Sequence, residues 1–280
     1  MGFPPQQQSQ PGMESAMVPR PIFDNPNYKA AGKLEQKVAI ITGGDSGIGR
    51  AVAVAFAKEG ADVVISYLNE HADALETQRV VERYGGRCVL VPGDIGERVQ
   101  CLRIVKEAMV CFGRIDVLVN NAGVQFVADD LLDIEDAQLE YTFRTNIFSQ
   151  FMLTKAVLPQ LRPGSSIINT ASITAYRGEP QLIDYSSTKG AIVSFTRSLA
   201  RSLATSGIRV NGVAPGPIWT PLIPASFTPD RIAKFGDDTP MKRAGQPYEL
   251  APAYVFLACD DSSYMTGQML HINGGTIVNG

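Results

Sequence analysis

Short apolar, β-branched runs recur along the chain and alternate with stretches patterned as helices, from Lys37 to the C-terminus. The first run, Lys37-Val38-Ala39-Ile40-Ile41, precedes the alanine-rich helical stretch Arg50–Glu59, which Gly60 stops. Further runs lie at Ala61–Ser66, Arg87–Val91, Ile115–Val119 and Ile208–Val213, and a last strand closes at Asn273-Gly274-Gly275. Continuously apolar runs of this length suit strands buried on both faces, and such strands belong to parallel sheets with helical crossovers. The pattern predicts an α/β chain, a doubly wound parallel sheet in a single domain over residues 37–280.

Residues 1–36 break the rhythm. Gln6-Gln7-Gln8-Ser9-Gln10-Pro11 and prolines at 4, 5, 19, 21 and 26 exclude regular structure there. Met17, Val18, Ile22, Phe23 and Tyr28 are apolar anchors, so we expect an extended arm that packs from about Pro19 onward. On that reading, residues 1–18 are dispensable while 1–35 are not. A second interruption, Trp219 to about Arg243, carries Pro221, Pro224, Pro229 and Pro240 and is longer than an ordinary connection, as a substrate lid is.

The first strand runs into Thr42-Gly43-Gly44-Asp45-Ser46-Gly47-Ile48-Gly49, and a helix follows at once. Glycines let a backbone approach a pyrophosphate, and a helix N-terminus offers free N–H groups to it. Gly43, Gly47 and Gly49 follow G-x-x-x-G-x-G, a variant of the commoner dinucleotide fingerprint. Further along, Tyr185 and Lys189 stand one helical turn apart in Asp184-Tyr185-Ser186-Ser187-Thr188-Lys189-Gly190. Of nine tyrosines, only Tyr185 has a lysine four positions later. A free phenol ionises near pH ~10, and a neighbouring cation brings it toward the range a proton exchanger needs.

These motifs, with Asn120-Asn121-Ala122-Gly123, Asn146, Ser172, Pro215-Gly216 and Asn273-Gly274-Gly275 in that order, resemble the short-chain dehydrogenase/reductase family over about residues 36–280. Phe3-Pro4-Pro5-Gln6, Gly43-Gly44-Asp45-Ser46-Gly47 and Ala214–Pro224 look like its branch of glucose and ribitol dehydrogenase homologues, NADPH-dependent aldehyde reductases and bacterial general stress oxidoreductases. The resemblance implies a Rossmann-type sheet and a catalytic tetrad of Asn146, Ser172, Tyr185 and Lys189. In it Tyr185 exchanges the proton, Ser172 holds the substrate oxygen, Lys189 lowers the tyrosine pKa and binds the ribose, and Asn146 anchors a water. It also implies cofactor contacts at Gly43, Asp45, Ser46, Gly47, Ile48 and Gly49, then at Tyr67, Leu68, Asp94 and Ile95. Asn121, Ala122, Gly123, Tyr185, Lys189, Pro215, Gly216, Ile218 and Thr220 complete that set.

The second strand ends in Tyr67-Leu68-Asn69, with no acid at its tip to bind a ribose 2′-hydroxyl. No arginine or lysine stands at Ser46 or Tyr67-Leu68 to bind a 2′-phosphate either, so NADP is favoured by the branch and NAD stays open. Gln125, Glu179, Gln181 and Trp219 are expected to reach a pocket suited to small aldehydes, sugars or polyols. Two alternatives remain: an oxoacyl-thioester reductase of the same fold, and a dinucleotide sensor without catalysis.

Composition narrows the class further. The 280 residues are 45% hydrophobic, enough for one sizeable core. A net charge of -3 without a basic block argues against nucleic acid as partner. Cys88, Cys101, Cys111 and Cys259 form no C-x-x-C pair and, with only His71 and His271, point to thiols in a reducing compartment and to no catalytic metal. There is no run long enough for a membrane span and no signal-peptide core, so the cytoplasm is expected. Apolar content in the helices bearing Asn146 and Tyr185 exceeds one core-facing stripe, which with the resemblance implies a homotetramer.

Overall fold

A computed structural model of the chain describes residues 2–278. Among these residues the strands are β1 (Val38–Thr42), β2 (Asp62–Tyr67), β3 (Cys88–Pro92), β4 (Val117–Asn120), β5 (Ser166–Thr170), β6 (Arg209–Pro215) and β7 (Met269–Ile272). They form one sheet in the order β3-β2-β1-β4-β5-β6-β7, with every pairing parallel. The connecting helices are α1 (Gly47–Lys58), α2 (His71–Arg83), α3 (Arg98–Phe112), α4 (Asp136–Phe143) and α5 (Ser149–Val157). They continue with α6 (Thr174–Arg177), α7 (Ile183–Leu203), α8 (Pro229–Ile232) and α9 (Pro247–Ala258). The doubly wound sheet expected from the apolar rhythm is the one observed.

Alternation along each strand divides the core into two layers. Ala39 and Ile41 of β1 face Phe56 of α1 with Tyr254 and Leu257 of α9, whereas Ile40 faces Ile104 of α3 and Leu153 of α5. All five β1 residues are buried, which is why that run shows no polar alternation. The chain winds outward from β1 to β3 and returns to the other side of β1 with β4. The chain leaves β1 and β4 for opposite faces of the sheet there, which opens a crevice at the C-terminal edge of the sheet. No helix among the described residues is long and apolar enough to cross a membrane.

The N-terminal arm is held earlier than its composition suggests. Glu14 and Met17 are buried, while Val18 and Ile22, two expected anchors, are 62% and 52% exposed. Phe3 stacks on Trp219 with ring centres 3.7 Å apart, and the Trp219 indole N–H donates to the Pro19 carbonyl at 2.8 Å. Of the other expected anchors, Phe23 packs against the α1–α9 layer and the Tyr28 hydroxyl bonds to Glu59. Residues 1–18 are thus held against the domain, and we expect their deletion to lower stability rather than to be silent. Main-chain hydrogen bonds and one buried carboxylate hold this stretch, and a count of apolar anchors does not register either.

Candidate active site

The turn after β1 needs its glycines for separate reasons. Gly43 and Gly47 take φ of 61° and 51°, in the left-handed region that side chains resist. Gly49 is different: a Cβ there would lie 1.9 Å from the Gly43 carbonyl oxygen. Thr42 ties this turn to the loop after β4, its hydroxyl accepting the N–H groups of Asn121 at 2.9 Å and Ala122 at 3.0 Å. Asn121 returns the contact, its side-chain amide donating to the carbonyls of Thr42 at 3.1 Å and Gly43 at 3.3 Å. The two loops thus meet as one rigid floor.

Above that floor is a cavity of about 730 Å³. Gly43, Asp45, Ser46, Gly47, Ile48, Tyr67, Leu68, Asp94 and Ile95 line one end, with Asn121, Ala122 and Gly123. Ser172, Tyr185 and Lys189 line it with Pro215, Gly216, Ile218 and Thr220. Gly49 lies behind the wall, shaping the turn rather than facing the cavity.

Tyr185 and Lys189 project from α7, whose start is fixed by Asp184. That carboxylate accepts the Thr142 hydroxyl at 2.9 Å and the Gln138 amide at 3.1 Å, joining α4 to α7. Lys189 Nζ donates to the Thr170 carbonyl at 2.9 Å and lies 5.3 Å from the centre of the Tyr185 ring. Burial pushes the Tyr185 phenol up to about 12, against a hydrogen bond with Ser172 that lowers it. Burial also pulls Lys189 down to about 8. The lowered tyrosine expected from the spacing is not what this geometry produces, because loss of water at the phenol outweighs the opposing hydrogen bond with Ser172.

Asn146 stands behind the cavity in a π-helical segment, Arg144–Phe148, that the sequence pattern did not show. Its amide donates to the Val124 carbonyl at 2.9 Å and the Thr188 hydroxyl at 3.1 Å, and its oxygen accepts the Val124 N–H at 2.8 Å. Both amide hydrogens are spent on the protein. The side chain braces the loop of Gly123 and Val124 against α7.

Two readings of the lining change. Glu70, three residues past the end of β2, folds back beside Asp45 in the cavity wall, buried, with its Oε1 lacking any partner. Burial and the Glu70 charge push the Asp45 carboxyl up to about 7. An acid does stand at this end of the cavity, displaced from the strand tip where sequence position would seek it. Gln125 and Glu179 line the cavity as expected, but Trp219 and Gln181 do not. Trp219 is fully buried under Phe3, and Gln181 bonds to Asp129 and Arg231.

A family model described as "Enoyl-(Acyl carrier protein) reductase" matches residues 43–276. "Uncharacterized oxidoreductase YhxC" of Bacillus subtilis (strain 168) is 64% identical, over 99% of this chain and 97% of its own length. "NADPH-dependent aldehyde reductase 1, chloroplastic" of Arabidopsis thaliana is 54% identical, over 98% of this chain and 97% of its own. Among solved structures, a short-chain dehydrogenase from Burkholderia cenocepacia J2315 in complex with NADP superposes with a TM-score of 0.82. It is 30% identical and covers 87% of this chain and 98% of its own. The chain is a short-chain dehydrogenase/reductase.

As a member of that family the protein is an oxidoreductase, and the resemblance read from its motifs holds. In this short-chain dehydrogenase/reductase the glycine turn, Ser172, Tyr185 and Lys189 share one cavity although Gly43 and Lys189 are far apart in sequence.

Proposed function

We propose that this protein reduces a small aldehyde, or the open form of a sugar, to the alcohol, with NADPH as hydride donor and NADH accepted in its place. The observation that carries the reading is the single cavity shared by the left-handed glycine turn and by Ser172, Tyr185 and Lys189. The glycine turn, Asn121–Gly123 and Pro215–Gly216 would hold the dinucleotide, which supplies hydride when bound. Ser172 holds the substrate oxygen beside Tyr185, and the phenol, kept protonated by burial, donates its proton to that oxygen. A protonated phenol suits reduction better than alcohol oxidation. Lys189, oriented by the Thr170 carbonyl, would bind the ribose hydroxyls.

NADP is supported by the bare strand tip Tyr67-Leu68-Asn69 and by the NADP complex of the similar structure. One observation favours NAD: the unpartnered carboxylate oxygen of Glu70 is a ready acceptor for a ribose hydroxyl. A carrier-bound thioester is disfavoured by the cavity mouth. Arg177 pairs with Glu179 and Asp238, Arg231 pairs with Glu179, and Lys234 shares the rim with Asp237 and Asp238, so the mouth is mixed in charge rather than basic.

Turnover of an aldehyde, sugar and ketone panel with both cofactors tests the proposal, alongside Tyr185→Phe. We expect activity strongest on small aldehydes, and in Tyr185→Phe a loss of at least about a hundredfold in kcat with NADP affinity kept. Wild-type turnover in the folded variant would remove Tyr185 from the proton-transfer role.

A further inference from the structure

The N-terminal arm touches both halves of the site. Glu14, in the single 3₁₀ turn Glu14–Ala16, is fully buried. Its Oε2 accepts the Gly47 N–H at 2.6 Å, and its Oε1 lies 2.6 Å from Nη1 of Arg50, itself wholly buried on α1. Arg50 Nε in turn donates to the Asp45 carbonyl at 2.9 Å, so arm and helix grip the glycine turn between them. Asp73 of α2 secures the arm, accepting the N–H groups of Glu14 at 2.6 Å and Ser15 at 3.2 Å.

Upstream, the same arm meets the lid. The Gln8 N–H donates to the Pro224 carbonyl at 2.8 Å, and the Gln10 amide donates to the Gln125 carbonyl. A Cβ on Gly12 would lie 2.4 Å from the Pro221 carbonyl oxygen, so the arm runs flush against the lid. Gln10, Pro11 and Gly12 line the cavity that also holds Ser172 and Tyr185. A strand of chain that only covered apolar surface would not need a buried ion pair, which costs desolvation and gives position in return.

We propose that the arm is a positioning element of the active site. Glu14, clasped by Arg50 and the Gly47 amide, fixes the cofactor turn, and the Gln10–Gly12 segment it anchors is a wall that sets substrate size. The proposal rests on the reading that this cavity takes a dinucleotide and a carbonyl compound.

Two substitutions separate the clasp from the wall. Glu14→Gln keeps the shape, but one carboxamide oxygen serves either the Gly47 N–H or Arg50, not both. We expect its Kd for NADP, titrated directly on the folded full chain at pH ~8, where Glu14 is ionised, to weaken about tenfold. Gly12→Ala sets a methyl against Pro221 and displaces the wall while leaving Glu14 in place. We expect unchanged NADP affinity and a shift of about tenfold in the ratio of KM for benzaldehyde to KM for propanal. Wild-type NADP affinity in Glu14→Gln would overturn the clasp, and an unchanged KM ratio in Gly12→Ala would overturn the wall. Should the wild type turn over no carbonyl compound, the proposed substrate class fails, and the NADP titration still decides whether Glu14 serves the cofactor turn.

Discussion

Tyr185 and Lys189 are both buried at the cavity wall, and they respond in opposite directions: the phenol rises to about 12 and the ammonium falls to about 8. Each moves toward its neutral form, as burial requires. Glu14 obeys the same rule. Burial raises its carboxyl to about 7 and Asp73 adds to the rise, while Arg50, the Gly47 N–H and Arg20 pull the other way. A carboxyl raised on folding binds its proton more tightly than the unfolded chain does. Its contribution to stability is therefore full below the unfolded value of 4.5 and is lost as pH rises through about 7. We expect the Tm of the wild type, relative to Glu14→Gln, to fall by a few degrees between pH ~5 and ~8. Melting curves at several pH values check this, and a difference that stayed constant across the window would show that Glu14 does not titrate there. None of these shifts was legible in the sequence. A four-residue spacing places Lys189 on the Tyr185 face of a helix, but whether charge or burial prevails depends on what closes over both.

At the scale of elements, the glycine turn shows which glycines are exchangeable. Gly47 is strained for any side chain, by about 1–2 kcal/mol, and an added Cβ meets Thr220 at 3.1 Å, so Gly47→Val strains the backbone as well as filling space. Gly49 faces backbone at 1.9 Å, which no side-chain rearrangement relieves. We expect Gly49→Ala to lower Tm and to lose cofactor binding together, and Gly47→Ala to fold with a smaller loss of stability. Melting curves with NADP titration distinguish the two, and a Gly49→Ala variant as stable as wild type would contradict this packing. The strand–turn–helix unit was readable because its three signals are local: an apolar run, a glycine spacing and an alanine-rich helix. The π segment around Asn146 was not, since it arises where α4 and α5 are fitted against α7. Glu70 escaped for a related reason, because the loop after β2 returns it to the cavity from a position that strand arithmetic does not reach.

For the whole molecule, the helices around the site leave apolar surface uncovered. Phe148 and Phe151 are 49% and 47% exposed, with Leu139 and Ile183 exposed on neighbouring α4 and α7. Ile147, Ile192 and Val193, apolar residues of the same segments, are buried within the protein instead. The remaining patch supports the proposed homotetramer. We expect light scattering to give a tetramer mass at micromolar concentration, and Phe148→Asp with Phe151→Asp to dissociate it. A wild-type monomer at that concentration would refute the assembly.

The amino-acid sequence by itself determined the sheet and pointed to the residues of its candidate site, because both rest largely on short-range patterns. Apolar runs specify buried parallel strands, spacing marks Gly43 and Gly47 and pairs Tyr185 with Lys189, the family resemblance marks Ser172, and all five line one cavity. Only the tertiary structure decided where the arm goes. Its hold comes from Glu14 on Gly47 and Arg50, Asp73 on the arm backbone, and Phe3 on Trp219, contacts between residues tens to hundreds of positions apart. A buried carboxylate is indistinguishable in sequence from a solvated one. Its partners, and so its effect, exist only once the chain has folded around it.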